Sequence, residues 1–161
     1  MKFFVTAPMG VEGALAKELG ELGIGRGRAV VGGAEMSGRW EDAYRICLES
    51  RIAVRVLLPL ADAPCQGERD LYDAAREIAW EKHVSPETTL AVSAVGFAPG
   101  LDNTMFVAQR TKDAIVDRLR ALTGARPSVD RDDPDVSVFV RLARDRVTIA
   151  LDLAGESLHR R

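Results

Sequence analysis

The strongest constraint on the fold is a pair of alternating apolar runs in the last third of the chain. Val136, Val138, Val140 and Leu142 recur at every second position, and so do Val147, Ile149, Leu151 and Leu153. A strand sends successive side chains to opposite faces, so each run specifies a strand with one buried face. Only Arg144-Asp145 separates them cleanly, which predicts an antiparallel hairpin whose register a one-residue slip would ruin. Upstream, Thr88 to Val95 reads as another strand. A Gly/Pro loop from Phe97 to Asp102 leads into a helix capped by Asn103 or Thr104 and stopped by Gly124. Its buried stripe is expected at Ala108, Thr111, Ile115, Leu119 and Leu122. Asp70 to Ala79 is expected to be a further helix, with Leu71, Ala74, Ala75 and Ile78 at helical spacing.

The first 63 residues read β-α-β-β-α-β. Phe3 to Ala7, Arg28 to Val31, Ala34 to Gly38 and Ala53 to Leu60 are the strands, and Gly32-Gly33 is a tight turn. Val11 to Leu22 and Trp40 to Ile52 are the helices. This is the order of a ferredoxin-like split βαβ unit. Ala61 to Glu68, with Pro64 and Gly67, reads as a linker. The division expected is therefore 1–63 and 64–161, an α+β chain in which a ferredoxin-like βαββαβ subdomain precedes a second α/β domain.

Composition narrows the function. Nothing approaches the roughly 18 apolar residues of a membrane span, and the N-terminus lacks a signal-peptide core, so a cytoplasmic protein is expected. Cys47 and Cys65 form no C-x-x-C, and His83 and His159 lie far apart, so a metal site is not expected. The net charge of −2 is uneven: residues 1–63 are neutral, residues 64–104 carry −4 and residues 105–161 carry +2. An anionic partner should meet the last third.

Glu21-Leu22-Gly23-Ile24-Gly25-Arg26-Gly27 fits the glycine loop of many S-adenosylmethionine enzymes, but the context is reversed. Such loops follow a strand and open a helix, whereas here a helix precedes and a strand follows. No nucleophile–base pair stands out either: Ser157 and His159 have no matching acid and no G-x-S-x-G elbow.

Three segments could meet an anion. On the long helix, Arg110 and Lys112 lie in the half nearer its N-terminus, where positive charge opposes the macrodipole, and Asp113 and Asp117 repel across one turn. The loop Arg126 to Asp135 holds two prolines and four aspartates; its aspartates suit side-chain to backbone turns, and Arg126 and Arg131 are the exceptions. The end of the chain places His159, Arg160 and Arg161 just past a strand, and the arginine fork suits phosphate.

Taken together, these segments are similar to a THUMP domain, the RNA-capture module of several tRNA and rRNA modifying enzymes. The resemblance rests on Arg110-Thr111-Lys112-Asp113-Ala114-Ile115-Val116-Asp117, on Arg126-Pro127 with Val129-Asp130, on Asp133-Pro134-Asp135, and on Leu151-Asp152-Leu153 with Gly155 and Leu158-His159-Arg160-Arg161. Residues 1–63 resemble the ferredoxin-like domain that precedes THUMP, including Arg51-Ile52-Ala53 and Leu58-Pro59-Leu60. The set is closest to bacterial 23S rRNA guanine-N2 methyltransferases. The resemblance implies a chain that binds structured 23S rRNA through Arg110, Lys112, Arg126, Arg131, His159, Arg160 and Arg161. It also implies a Rossmann-like methyltransferase domain after the Leu-His-Arg-Arg run, holding S-adenosylmethionine, with no cofactor in these residues. The expectation is the RNA-binding portion of a longer enzyme. A stand-alone RNA or protein interaction module, or a complete small methyltransferase using Glu21 to Gly27, are the alternatives.

Overall fold

The structure, a computed structural model, describes residues 1–160, the side chain of Arg160 excepted. The chain forms two compact units. One comprises Met1–Pro59 together with the segment from Asp152 onward, and the other is Leu60–Leu151.

In the first unit the elements are β1 (Lys2–Thr6), α1 (Glu12–Glu21), β2 (Arg28–Val30), β3 (Gly33–Ser37), α2 (Trp40–Glu49) and the start of β4 (Arg55–Pro64). The strand order is β2-β3-β1-β4, and every pair is antiparallel. This is the ferredoxin-like arrangement. Leu15 and Leu19 of α1 and Ala43 and Ile46 of α2 bury against Phe3, Val5, Ala34, Met36 and Val56 of the strands. A side chain of this size contributes about 1.5–3 kcal/mol when fully buried. Helix α1 ends where expected: the Gly23 and Ile24 amides turn back to the carbonyls of Gly20 and Leu19, at 3.0 and 3.2 Å.

The segment from Asp152 completes this unit. Leu153 N–H donates to the Val56 carbonyl and Leu158 N–H to the Val54 carbonyl, both at 2.8 Å. Leu153 and Leu158 pack against the same core.

The second unit holds the end of β4, α3 (Glu68–Glu77), a 3-10 turn at Trp80–Lys82, β5 (Thr89–Gly96), α4 (Thr104–Thr123), β6 (Ser128–Val129), β7 (Val136–Ala143) and most of β8 (Arg146–Asp152). Its strand order is β8-β7-β5-β6. Strands β5 and β7 run parallel, from Leu90 opposite Val136 to Gly96 opposite Leu142. Strands β7 and β8 form the expected antiparallel hairpin, with Ala143 opposite Arg146 across the two-residue turn. Val138, Val140, Leu142, Val147, Ile149 and Leu151 are all buried. Trp80 is fully buried, and its indole N–H donates to the Ala75 carbonyl at 2.7 Å, which satisfies the one polar atom such a residue brings into a core.

Four local expectations need correction. The linker read at Ala61 to Glu68 is in part strand, because β4 continues through Pro59 to Pro64. Pro59 is exposed, where a missing N–H costs the ladder little. Helix α2 stops at Glu49 because Ser50 turns to extended backbone, ψ 137°. The buried stripe of α4 is Val107, Thr111, Ala114, Ile115 and Leu119. Ala108 sits at its margin, and Leu122, just before the helix end, is 58% exposed. Finally, Ser128–Val129 forms a short strand parallel to Thr89–Leu90, a pairing that local sequence does not announce.

Candidate nucleic-acid interface

The charged side of α4 faces α3. The Arg110 guanidinium lies 4.2 Å from the centre of the Tyr72 ring, within cation–π range. Its Nε is 2.8 Å from Glu68 Oε1, a pairing of charges rather than an aligned hydrogen bond. Asp113 stands at 4.0 Å from its Nη1. The Tyr72 hydroxyl donates to Asp117 and accepts from Arg76 Nη1, the latter at 2.9 Å. The Asp117 carboxylate and burial together hold the Tyr72 phenol above its ordinary range. Thus the groups that offset Arg110 come largely from α3. The Asp113–Asp117 repulsion is relieved by Arg110 on one side and Tyr72 on the other.

The same helix carries a second clamp. Arg118 donates through Nε and Nη2 to both oxygens of Glu81 at 2.9 Å, and through Nη1 to the Arg76 carbonyl at 2.9 Å. A bidentate Arg–carboxylate fork is the strong geometry for such a pair. It lowers the Glu81 carboxyl to about 2. Lys112 is half-buried and donates to Gln109 Oε1 at 3.1 Å, while Gln109 donates in turn to Asp113 at 3.1 Å.

The loop after α4 is rigid for the reason its aspartates suggested. Asp130 Oδ1 accepts the amides of Asp132 and Asp133, both at 3.0 Å, and these bonds hold its carboxyl below the usual range. Asp135 accepts from the Thr89 amide and hydroxyl at 2.9 and 3.1 Å. Pro127 is buried. Arg126 and Arg131 project from this frame, exposed and without an ion pair among the described residues.

His159 lies on the 3-10 turn Leu158–Arg160 and is exposed. The Arg160 side chain and Arg161 lie outside the described residues. Just before them, Asp152 is buried and paired with Arg55. Burial pushes its carboxyl up, against the opposing pull of Arg55.

The expected RNA-binding residues that the structure describes fall on several separate elements. Arg110 and Lys112 are on α4 with local partners, Arg126 and Arg131 are on the acidic loop, and His159 belongs to the first unit. Exposed cations also lie outside that set, among them Arg141 on β7 and Arg144 at the hairpin turn, neither with an ion pair among the described residues. Arg141 was legible in the sequence, since it falls on the off-beat of the Val136–Leu142 alternation.

Cys47 and Cys65 are not joined in a disulfide, and burial raises the Cys65 thiol. Among the described residues no group of His, Cys, Asp and Glu side chains is arranged to hold a metal ion, and no helix is long and apolar enough to cross a membrane.

Residues 65–152 match the THUMP domain. The chain belongs to the THUMP family. Residues 2–57 match the RlmL ferredoxin-like domain. The chain is 47% identical over 159 residues to the ribosomal RNA large subunit methyltransferase K/L of Allochromatium vinosum, covering 99% of this chain and 22% of that protein. The protein of the same name from Pseudomonas syringae pv. tomato is 46% identical over 160 residues, again over 99% of this chain and 21% of its own length. The chain thus corresponds to the N-terminal, THUMP-bearing portion of these proteins and spans about a fifth of their length. The crystal structure of a possible methylase from Clostridium difficile 630 shares the fold, with a TM-score of 0.84 at 23% identity over 98% of this chain and 42% of that one.

Proposed function

We propose that this THUMP chain is the RNA-capturing portion of a cytoplasmic 23S rRNA guanine-N2 methyltransferase. It would hold structured rRNA for a Rossmann-like catalytic domain carried elsewhere in the longer protein. The observation that carries the reading is the tandem match, a THUMP domain directly after an RlmL ferredoxin-like domain, at 46–47% identity to the methyltransferase K/L proteins. As a functional division we keep 1–63 as the ferredoxin-like part and 64–161 as the THUMP part. The last residues of the THUMP part lodge in the first unit.

S-adenosylmethionine is assigned to the catalytic domain and not to the glycines of Glu21 to Gly27. Helix α1 runs into them, β2 follows them, and Ile24 is buried among them. A Cβ on Gly27 would already meet Leu19 Cδ1 at 3.0 Å. They pack against the core and open no cradle for a nucleotide.

Folded RNA is recognised largely by shape, phosphates and 2′-hydroxyls. Arg126 and Arg131 are the cations best placed for this, with Lys112, His159, Arg160 and Arg161 in support. Arg110 contributes less, because Tyr72 and Glu68 already engage it. The test is fluorescence anisotropy of the chain with 23S rRNA fragments across a salt series. Affinity should fall steeply with salt, and Arg126→Ala with Arg131→Ala should lower the slope of log K on log salt by about 0.7–0.9 for each phosphate no longer neutralised. Affinity independent of salt, or no binding at the lowest salt, refutes the reading.

A further inference from the structure

Among the described residues one charged residue is buried, Asp152, whose side chain is 2% exposed. No contact assigned to RNA uses it. A carboxylate taken out of water is costly unless a cation and hydrogen-bond donors offset the loss. Asp152 has both. Its Oδ2 is paired with Arg55 Nη1, and its Oδ1 accepts the Ala154 amide at 3.1 Å. The Asp152 carbonyl accepts the Gly155 amide at 3.3 Å, and Gly155, at φ +76°, completes a turn.

The turn lays the chain back along the first unit. Leu153 N–H meets the Val56 carbonyl before it, and Leu158 N–H meets the Val54 carbonyl after it. Val54 and Val56 flank Arg55. Three consecutive residues therefore hold residues 152–158, two through carbonyls and the middle one through its guanidinium. The rest of the attachment is thin. Leu153 and Leu158 are half-buried, and Gly155 and Glu156 are exposed. The β7–β8 pairing ends at Val138 opposite Leu151, so Asp152 lies just past that ladder. Residues 152–158 can lift away without breaking a pair of β7–β8 or of β1–β4.

We infer that the Arg55–Asp152 pair is a charge latch: it keeps residues 152–158 seated on the first unit as a strap, and loss of the arginine charge opens that strap as one piece while the sheets stay folded. The inference stands apart from the RNA-binding reading. What makes the pair a latch is the asymmetry of its partners. Arg55 keeps 25% of its side chain exposed, so its guanidinium stays solvated when the aspartate is neutralised. Asp152 has no such access while the strap is seated. Without Arg55 its carboxylate reaches water only by lifting the strap. Lifting gives up two backbone hydrogen bonds, which water replaces, and the partial burial of two leucines. Such an opening is local rather than global. Because the 3-10 turn Leu158–Arg160 follows directly, the latch also fixes where His159 stands.

The experiment is amide hydrogen exchange by NMR on the full chain, read at Leu153 and Leu158, with Val5 and Val140 as sheet references. Arg55→Met should speed exchange about a hundredfold at both strap amides and leave the references unchanged. Asp152→Asn keeps an acceptor for the Ala154 amide and leaves a solvated guanidinium, so it should speed exchange by about tenfold or less. Arg55→Met combined with Asp152→Asn should exchange about tenfold more slowly than Arg55→Met alone, although it carries one substitution more. That rescue separates charge from packing. A double variant as fast as Arg55→Met makes the contact steric and overturns the latch. Unchanged exchange in Arg55→Met overturns it too, as does acceleration at only one of the two strap amides. Equal acceleration at Val5 and Val140, or an Arg55→Met chain that does not fold, shows that the pair supports the whole fold and likewise overturns the latch.

Discussion

Gly96 allows the sharpest test of how the second unit is assembled. Gly96→Ala introduces two separable costs. The first is conformational: φ +83° is left-handed backbone, which costs an L-residue about 1–2 kcal/mol. The second is spatial. The new Cβ would overlap the Leu142 carbonyl oxygen and stand 3.0 Å from its carbon. Strands β5 and β7 would have to part by about an ångström at this register, and such overpacking costs about 1–3 kcal/mol. A weakened ladder hydrogen bond adds about 1 kcal/mol. The expected loss is about 3–6 kcal/mol. Gly124→Ala is the control. Gly124 also has a left-handed φ, +74°, but nothing lies within 4 Å of its would-be Cβ, so only the conformational cost of about 1–2 kcal/mol applies. The two tryptophans make the assay local. Trp40 is in the first unit and Trp80, fully buried, is in the second. In a Trp40→Phe background, urea unfolding followed by Trp80 fluorescence reports the second unit. At about 1–3 kcal/mol per molar for the urea slope, Gly96→Ala should lower the midpoint by about 2 M and Gly124→Ala by about 0.5–1 M. Equal shifts would show that the β5–β7 contact yields freely.

Three further outcomes are expected. The Glu81 carboxyl is depressed to about 2 by Arg118, so its contribution to stability is present above the ordinary value of 4.5 and is lost as pH falls from there through about 2; Glu81→Gln should melt lower than the parent chain at neutral pH, with the gap closing across that window, and a gap constant with pH would refute the pairing. Thr111 is fully buried, and its hydroxyl donates at 2.8 Å to the Val107 carbonyl one turn back, a carbonyl within reach of the helix ladder; Thr111→Val should change stability by under about 1 kcal/mol, and a loss above about 2 kcal/mol in chemical denaturation would reveal a further partner. Arg144 sits at φ +58°, so Arg144→Gly should stabilise the hairpin by about 1 kcal/mol, and a urea midpoint that does not rise contradicts the assignment.

What the sequence disclosed followed from periodicity. The hairpin from Val136 to Leu151 and the βαββαβ order were legible because period-two and helical patterns are local. The phase of α4 was not. Ala108 and Leu122 are as apolar as Ala114 and Val107, and only the position of the sheet decides which are covered. The reach of β4 past Pro59 was hidden because a proline usually ends a strand, and its tolerance here depends on an exposed position. The positive charge of Arg110 near the helix start looked in need of an anion. That anion proved to be Glu68 on α3, with Tyr72 beneath the guanidinium. Such a pairing between helices leaves no trace in local spacing. The acidic loop was legible in its turn chemistry, while the pairing of Ser128–Val129 with β5 was not, because two residues carry no period.

The return of the chain at Asp152 has a consequence for the order of events during synthesis. The Leu153 and Leu158 side chains and the two amides that dock on Val54 and Val56 reach the first unit only after all of Leu60–Leu151 has been made. Until then the first unit keeps an apolar seam open. Joining its ends around an unstructured loop of that length would cost about 4 kcal/mol. Folding the second unit first shortens the span and removes most of that penalty. A lesion in the sheet of the second unit, such as Gly96→Ala, should therefore delay closure of that seam during translation.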